Sequence, residues 1–230
     1  GRKAQFKACP ARSRDLRQAF PPMIQHVTHV YADLATLQAD MVTGPVASAR
    51  QACAEGAVLV QIYSADTRPE HIHAIAAAVS ARLPGAVIVG ATTVGEVAHG
   101  RLVTGHTVIG FTFFRTSQLH TIALPCTGGD EREKGAEIGR RVTQMGGAVA
   151  GVLLLSTPLS MDASALLQGL SSSLQNTPVF GGGAGDYAAM NHSLVFCATQ
   201  WMERGAVAVL TDPEHADLDH TLEFHRRPGD

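Results

Sequence analysis

The chain has 230 residues, the size of one large domain or of two fused repeats. Its net charge of −2, one Trp and three Tyr argue against a general nucleic-acid binder, which needs a clustered basic surface and stacking aromatics. Cys9, Cys53, Cys126 and Cys197 lie far apart with no Cys-x-x-Cys, no apolar run approaches the roughly 20 residues of a membrane span, and no signal-peptide core opens the chain, so a cytoplasmic protein with reduced thiols is expected.

Residues 1–22 form a basic arm ending at Pro21-Pro22, with Arg2, Lys3, Lys7, Arg12, Arg14 and Arg17 against Asp15 alone. It reads as a disordered end or an organellar targeting segment. Residues 23–56 read as a helical lead-in. Leu34, Leu37 and Met41 keep helix spacing behind a cap at Asp33, and Val46, Ala49, Ala52 and Cys53 make a second stripe. Val58 to Tyr63 is a nearly continuous apolar run, the pattern of a strand buried on both faces. Pro69 suits a first helical turn, and Ile72, Ile75, Val79 and Leu83 share one helical face. Ala86 to Val89 is a strand, Thr107 to Phe114 a third, and Leu119 to Leu124 its expected antiparallel neighbour.

An amphipathic helix follows over 130–146, and then the order repeats. Val149 to Leu155 is a strand; Leu166, Leu167, Leu170 and Leu174 mark a helix capped near Ser160 or Asp162. Val179-Phe180 leads into a Gly-rich turn, and Ser193 to Cys197, Ala206 to Leu210 and Leu218 to Phe224 read as strands. Laid without a gap, Val89 to Glu96 falls on Val179 to Asp186, Ser64 matches Ser156, and Gly105 matches Gly205. Pseudo-repeats 57–125 and 149–225 within one unit, 57–225, follow. The expected class is α/β with an α+β tendency. Duplicated strand–helix–strand–strand units form mixed sheets that pack with helices on the outer faces, as αββα-like layers.

The two turns, Gly90-Ala91-Thr92-Thr93-Val94-Gly95-Glu96 and Gly181-Gly182-Gly183-Ala184-Gly185-Asp186, are the expected walls of a ligand site. Thr92, Thr93, Gly95, Glu96, Gly182, Gly183, Gly185 and Asp186 are the ligand-binding residues expected there. A dinucleotide loop needs a helix after the glycines and no acid at Asp186; a P-loop needs Gly-Lys-Ser/Thr. Neither is present. The glycines serve equally for positive φ or close backbone approach. Glu96 and Asp186 read as turn residues, as contacts to a ligand amine, or as an acid–base pair.

No metal set is expected: His71 and His73 point to different faces, His220 and His225 to opposite sides of a strand, and nothing completes a site beside His26 and His29. His99 and His192 each lie just past one copy of the turn, where an axial iron or polar contact would be placed. Cys9-Pro10 resembles the element by which some proteins hold haem through a thiolate. Ser64, Ser156 and Ser160 stand in no Gly-x-Ser-x-Gly and have no base placed beside them.

Val58-Leu59-Val60-Gln61-Ile62-Tyr63-Ser64, Val89 to Glu96, Pro178 to Asp186 and Gly205 to Leu210 together resemble the N-terminal half of a FIST domain, over residues 57–212. The ordered pair of turns carries the resemblance. It implies a sensory module that binds a small ligand, an amino-acid-like molecule or haem carrying nitric oxide. A histidine kinase, diguanylate cyclase or phosphodiesterase is the implied partner, and a homodimer an expected assembly. The family also occurs in F-box proteins, where it recruits substrates. Signalling input rather than enzymatic turnover is expected. A recruitment module without ligand and an enzyme using Glu96 and Asp186 are the alternatives.

Overall fold

The computed structural model describes residues 24–54, 56–145, 149–174, 177–186, 192–198 and 200–211. The basic arm and the strand expected at Leu218 to Phe224 lie outside them. The chain opens on β1 (Ile24–Tyr31), then α1 (Leu34–Thr43) and α2 (Pro45–Ala52). Next come β2 (Val58–Ser64), α3 (Pro69–Arg82), β3 (Val87–Thr92), the hairpin β4 (Glu96–Ala98) and β5 (Arg101–Val103), and β6 (Thr107–Phe114). The second half runs β7 (Leu119–Pro125), α4 (Glu131–Gln144), β8 (Gly151–Ser156), α5 (Ala163–Ser173), β9 (Val179–Gly183), β10 (Val195–Cys197), β11 (Gln200–Met202) and β12 (Gly205–Thr211). Local chemistry sets the helix starts. Asp33 closes a capping box with Thr36, Asp162 accepts from the Ala165 amide, and Pro45 and Pro69 occupy first turns.

Two sheets result, ordered β1-β6-β2-β3-β10-β11 and β7-β12-β8-β9, with β4–β5 as a separate pair. β2 with β3 and β8 with β9 are parallel; the other pairings are antiparallel. The duplication is real and longer than its sequence signal. Strand, helical segment, strand, helix, strand, hairpin, strand describes both β1 to β6 and β7 to β12.

Three sequence expectations change accordingly. The lead-in begins with a strand, because Ile24 to Tyr31 pairs along its whole length with β6; the expected helices follow it, with Leu37, Met41, Val46 and Ala49 buried. His26 and His29 therefore sit on opposite faces of a strand, not one helical turn apart. β7 is not the neighbour of β6 but pairs with β12 and opens the second repeat. The gapless overlay slips by one: Ser64 pairs with Thr92 while Ser156 pairs with Gly183. Likewise the Ala65 amide donates to the His106 carbonyl and the Thr157 amide to that of Gly205, so His106 matches Gly205.

Strand alternation divides the core into three layers. Val60, Ile62, Ile88, Ile109 and Phe111 face α1, α2 and α3. Val152, Leu154, Ala208 and Leu210 face α4 and α5. Leu59, Val89, Ala91, Leu153, Leu155, Val195, Val207 and Val209 fill the space between the sheets. Helices thus cover the outer faces of two packed sheets, the αββα arrangement expected. Gly135 and Gly169 let α4 and α5 touch: a Cβ on either would stand 1.9 Å from a carbonyl oxygen of the other helix.

Candidate functional site

The two Gly-acid turns meet where β3 and β9 end. The Thr92 amide donates to the Leu194 carbonyl at 2.9 Å, and the Leu194 amide donates back to Thr92 Oγ1 at 2.9 Å. The Thr92 carbonyl accepts from the Gly185 amide at 2.9 Å. A Cβ on Gly185 would lie 3.0 Å from Val94 Cγ1. These bonds join the repeats into a dry seam, and Thr92 is fully buried in it.

Both acids are buried. Glu96, 3% exposed, accepts from the Thr93 hydroxyl through Oε1, and its Oε2 is buried without a partner among the described residues. Asp186, 4% exposed, accepts from the His192 amide at 3.0 Å. Glu96 follows its strand end by one residue more than Asp186 follows its own, so the two are not at equivalent backbone positions.

The open space lies beside β9, the outer strand of the second sheet, all of whose residues are exposed. A groove of about 310 Å³ runs between the sheets. Gln61, Tyr63, Ala91 and Thr93 line it from the first repeat, and Leu153, Leu155 and Phe180 to Gly183 from the second. The Gln61 amide donates to the Tyr63 hydroxyl at 2.8 Å. Burial pushes the Tyr63 phenol above its usual pKa, partly offset by that bond, so the groove presents a neutral hydroxyl. A Cβ on Gly182 would meet nothing within 4 Å. On the helix side of β9 a second groove, of about 350 Å³, lies against α5 between Pro158, Ala163, Leu167 and Val179, with Leu154 and Ser156 at its base.

Of the residues expected to bind ligand, Thr93, Gly182 and Gly183 line the inter-sheet groove. Thr92 and Gly185 build the seam, and Glu96 and Asp186 are buried. Gly95 lies in the β3–β4 turn, where its would-be Cβ is 3.4 Å from Leu102. His99 is exposed at the tip of the β4–β5 hairpin, with φ of 50°. His192 is half-buried behind Asp186. Among the described residues no histidine, cysteine or methionine lines either groove along β9. Among the described residues no three His, Cys, Asp or Glu side chains gather to hold a metal ion.

Two of the three serines are tied up in hydrogen bonds, while Ser156 lines the helix-side groove. Ser64, fully buried, bonds Thr107 Oγ1 at 2.8 Å, which also meets His71 Nε2 at 3.2 Å; Ser160 donates to the Glu203 carbonyl at 2.5 Å. Cys53, Cys126 and Cys197 are free thiols. The sequence reading missed Gln61, Tyr63, Leu153, Leu155 and Phe180 as groove residues. Gln61 was the available signal: an amide inside an otherwise apolar strand buried on both faces marks a gap in the packing there.

No described helix is long and apolar enough to cross a membrane. The model of the FIST N domain matches residues 58–230. No curated protein matches the chain.

Proposed function

The chain belongs to the FIST N domain family, a sensory signal-transduction domain, and from that premise we propose that it binds a small amphipathic molecule between its two sheets and relays the event to a signalling partner. The observation that carries the reading is the inter-sheet groove, whose walls come from both repeats. A molecule seated there touches Gln61, Tyr63 and Thr93 on one repeat and Leu153, Leu155 and Phe180 on the other. Its affinity therefore depends on how the repeats sit against each other, which is the differential binding that a signal requires.

The lining suits an amino-acid-like ligand. Two hydroxyls and an amide can hold a polar head, and leucines receive an apolar tail. Haem finds no histidine or thiolate among the described lining residues, so His99 or His192 would have to reach it from outside the groove. An acid–base enzyme finds no support either, because Glu96 and Asp186 are enclosed and line neither groove. A histidine kinase, diguanylate cyclase or phosphodiesterase is the proposed recipient of the signal.

Thermal unfolding with each of the twenty L-amino acids, and separately with haemin, tests the reading on the wild type and Gly182→Val. At a ligand concentration 100 times Kd, binding stabilises the native state by about 2.7 kcal/mol. The expected result is a rise in Tm with one class of amino acid, lost in Gly182→Val because the new side chain occupies the groove. Equal rises in both proteins, or a Soret band with haemin unaltered by Gly182→Val, would place the site elsewhere.

A further inference from the structure

Two apolar surfaces of the molecule stand unmatched, and the internal duplication shows how they fit. The first sheet runs β1-β6-β2-β3-β10-β11 and the second β7-β12-β8-β9. These are the same order by repeat, except that among the described residues no strand fills the last two places of the second sheet. In the first sheet those places belong to a hairpin delivered by the other repeat. β10 pairs antiparallel with β3, setting Phe196 opposite Gly90. Phe196 is 1% exposed, and its Cζ lies 2.3 Å from where a Gly90 Cβ would be. Trp201, across the hairpin from Phe196, lies with it against Pro69 and His73 of α3.

The second sheet has the same seat, open. Gly181 is opposite Leu154 as Gly90 is opposite Ile62. The outer edge of β9 pairs with no described strand, and the helix-side groove lies over Gly181. Leu167 of α5, four residues after Ala163 as His73 is four after Pro69, is exposed on that groove. The hairpin matching β10–β11 in chain order is β4–β5. His99 at its tip has φ of 50° and Ala198 in the other has 53°. Val97 and Leu102 are cross-strand partners in the places of Phe196 and Trp201, and each is 71% exposed. The hairpin pairs with no other described strand.

Its tether holds it on its own repeat. Residues 93–95 join β3 to β4, whereas residues 184–194 join β9 to β10. The shorter link spans about 14 Å at full extension, and β4 rests near β6 and β1. We propose that the β4–β5 hairpin of a second copy docks antiparallel on β9, with Val97 opposite Gly181 and Leu102 over Leu167. Exchange is reciprocal, giving a twofold dimer in which each second sheet gains the two strands the first already has. The edge strand and the exposed hairpin are thereby covered together. The proposal does not rest on ligand binding, because the inter-sheet groove is on the other face of β9.

Cysteine trapping on the full chain tests it. Leu102→Cys and Leu167→Cys are both at exposed positions, so the fold tolerates them. Mixed under oxidised glutathione, the two variants should form a disulfide-linked heterodimer at least tenfold above either variant alone or the wild type. Adding Val97→Asp to the Leu102→Cys chain should return that yield to the background. In the double variant Leu102→Cys/Leu167→Cys the bond should join two chains. An intrachain disulfide in a monomer would overturn the proposal by showing that the hairpin docks in its own chain. Absence of any cross-link, with sedimentation as a monomer up to high micromolar concentration, would overturn it by leaving the edge to a different partner.

Discussion

Glu96 shows how a residue that looks reactive can be architectural. Its carboxylate is buried, with Oε1 held by the Thr93 hydroxyl and Oε2 without a partner among the described residues. Removing the one donor leaves neither oxygen hydrogen-bonded, and an unsatisfied buried acceptor costs about 1–3 kcal/mol. Thr93→Val is therefore expected to destabilise the fold by that amount in urea denaturation, while Thr93→Ser stays close to wild type. A loss in Thr93→Val below about 0.5 kcal/mol would mean the carboxylate finds another donor. Asp66 makes a surface contrast. The Arg68 side chain, donating from Nε at 3.0 Å, holds its carboxyl below the usual 3.8. A depressed carboxyl stabilises the fold above its unfolded pKa and loses that contribution as pH falls through its folded value. Asp66→Asn is expected to cost about 0.2–1 kcal/mol at pH 7, because the pair is exposed, and to cost nothing once the pH is below the folded pKa. A difference that persists in acid would assign the effect to packing.

Among the elements, β3 and β9 are counterparts with opposite fates. Gly90 on β3 is closed over by Phe196, and an added methyl would also meet the Ile62 carbonyl oxygen at 2.0 Å. A methyl on its register match on β9, Gly181, would likewise meet the Leu154 carbonyl oxygen at 1.9 Å, whereas the next residue, Gly182, faces open space. Gly90→Ala is expected to destabilise the protein by about 1–3 kcal/mol through overpacking, and Gly182→Ala to stay within about 0.5 kcal/mol of wild type. Matching losses for both would show that the β9 groove closes in solution. The same pair of strands shows what can be read from sequence. β2, β6, β8 and β12 were legible because burial on both faces writes itself as a continuous apolar run, and the helices because Leu37, Ile75, Ile138 and Leu166 keep a helical period. β1 was not, since its two histidines break the apolar run and helix-spaced residues follow directly. Nor was the partner of β7, because pairing across a duplication is set by contacts distant in sequence. The seam was legible as two similar turns, but whether a similar turn faces ligand or the other repeat depends on packing that spacing alone does not encode.

At the scale of the whole molecule, the duplication places a groove between two packed repeats. Two repeats packed sheet on sheet, with helices outside, share a groove, and the outer edge of β9 pairs with no described strand. In the proposed function a molecule in that groove reads the relative placement of the repeats, a use that fits the FIST family. Amide chemical-shift mapping with the L-amino acids added in pools tests this most directly. The account predicts perturbations that converge on Gln61, Tyr63, Thr93, Leu153, Leu155, Phe180 and Gly182, from both repeats at once. Perturbations confined to one repeat, or centred on His99 and the exposed β4–β5 hairpin, would contradict it.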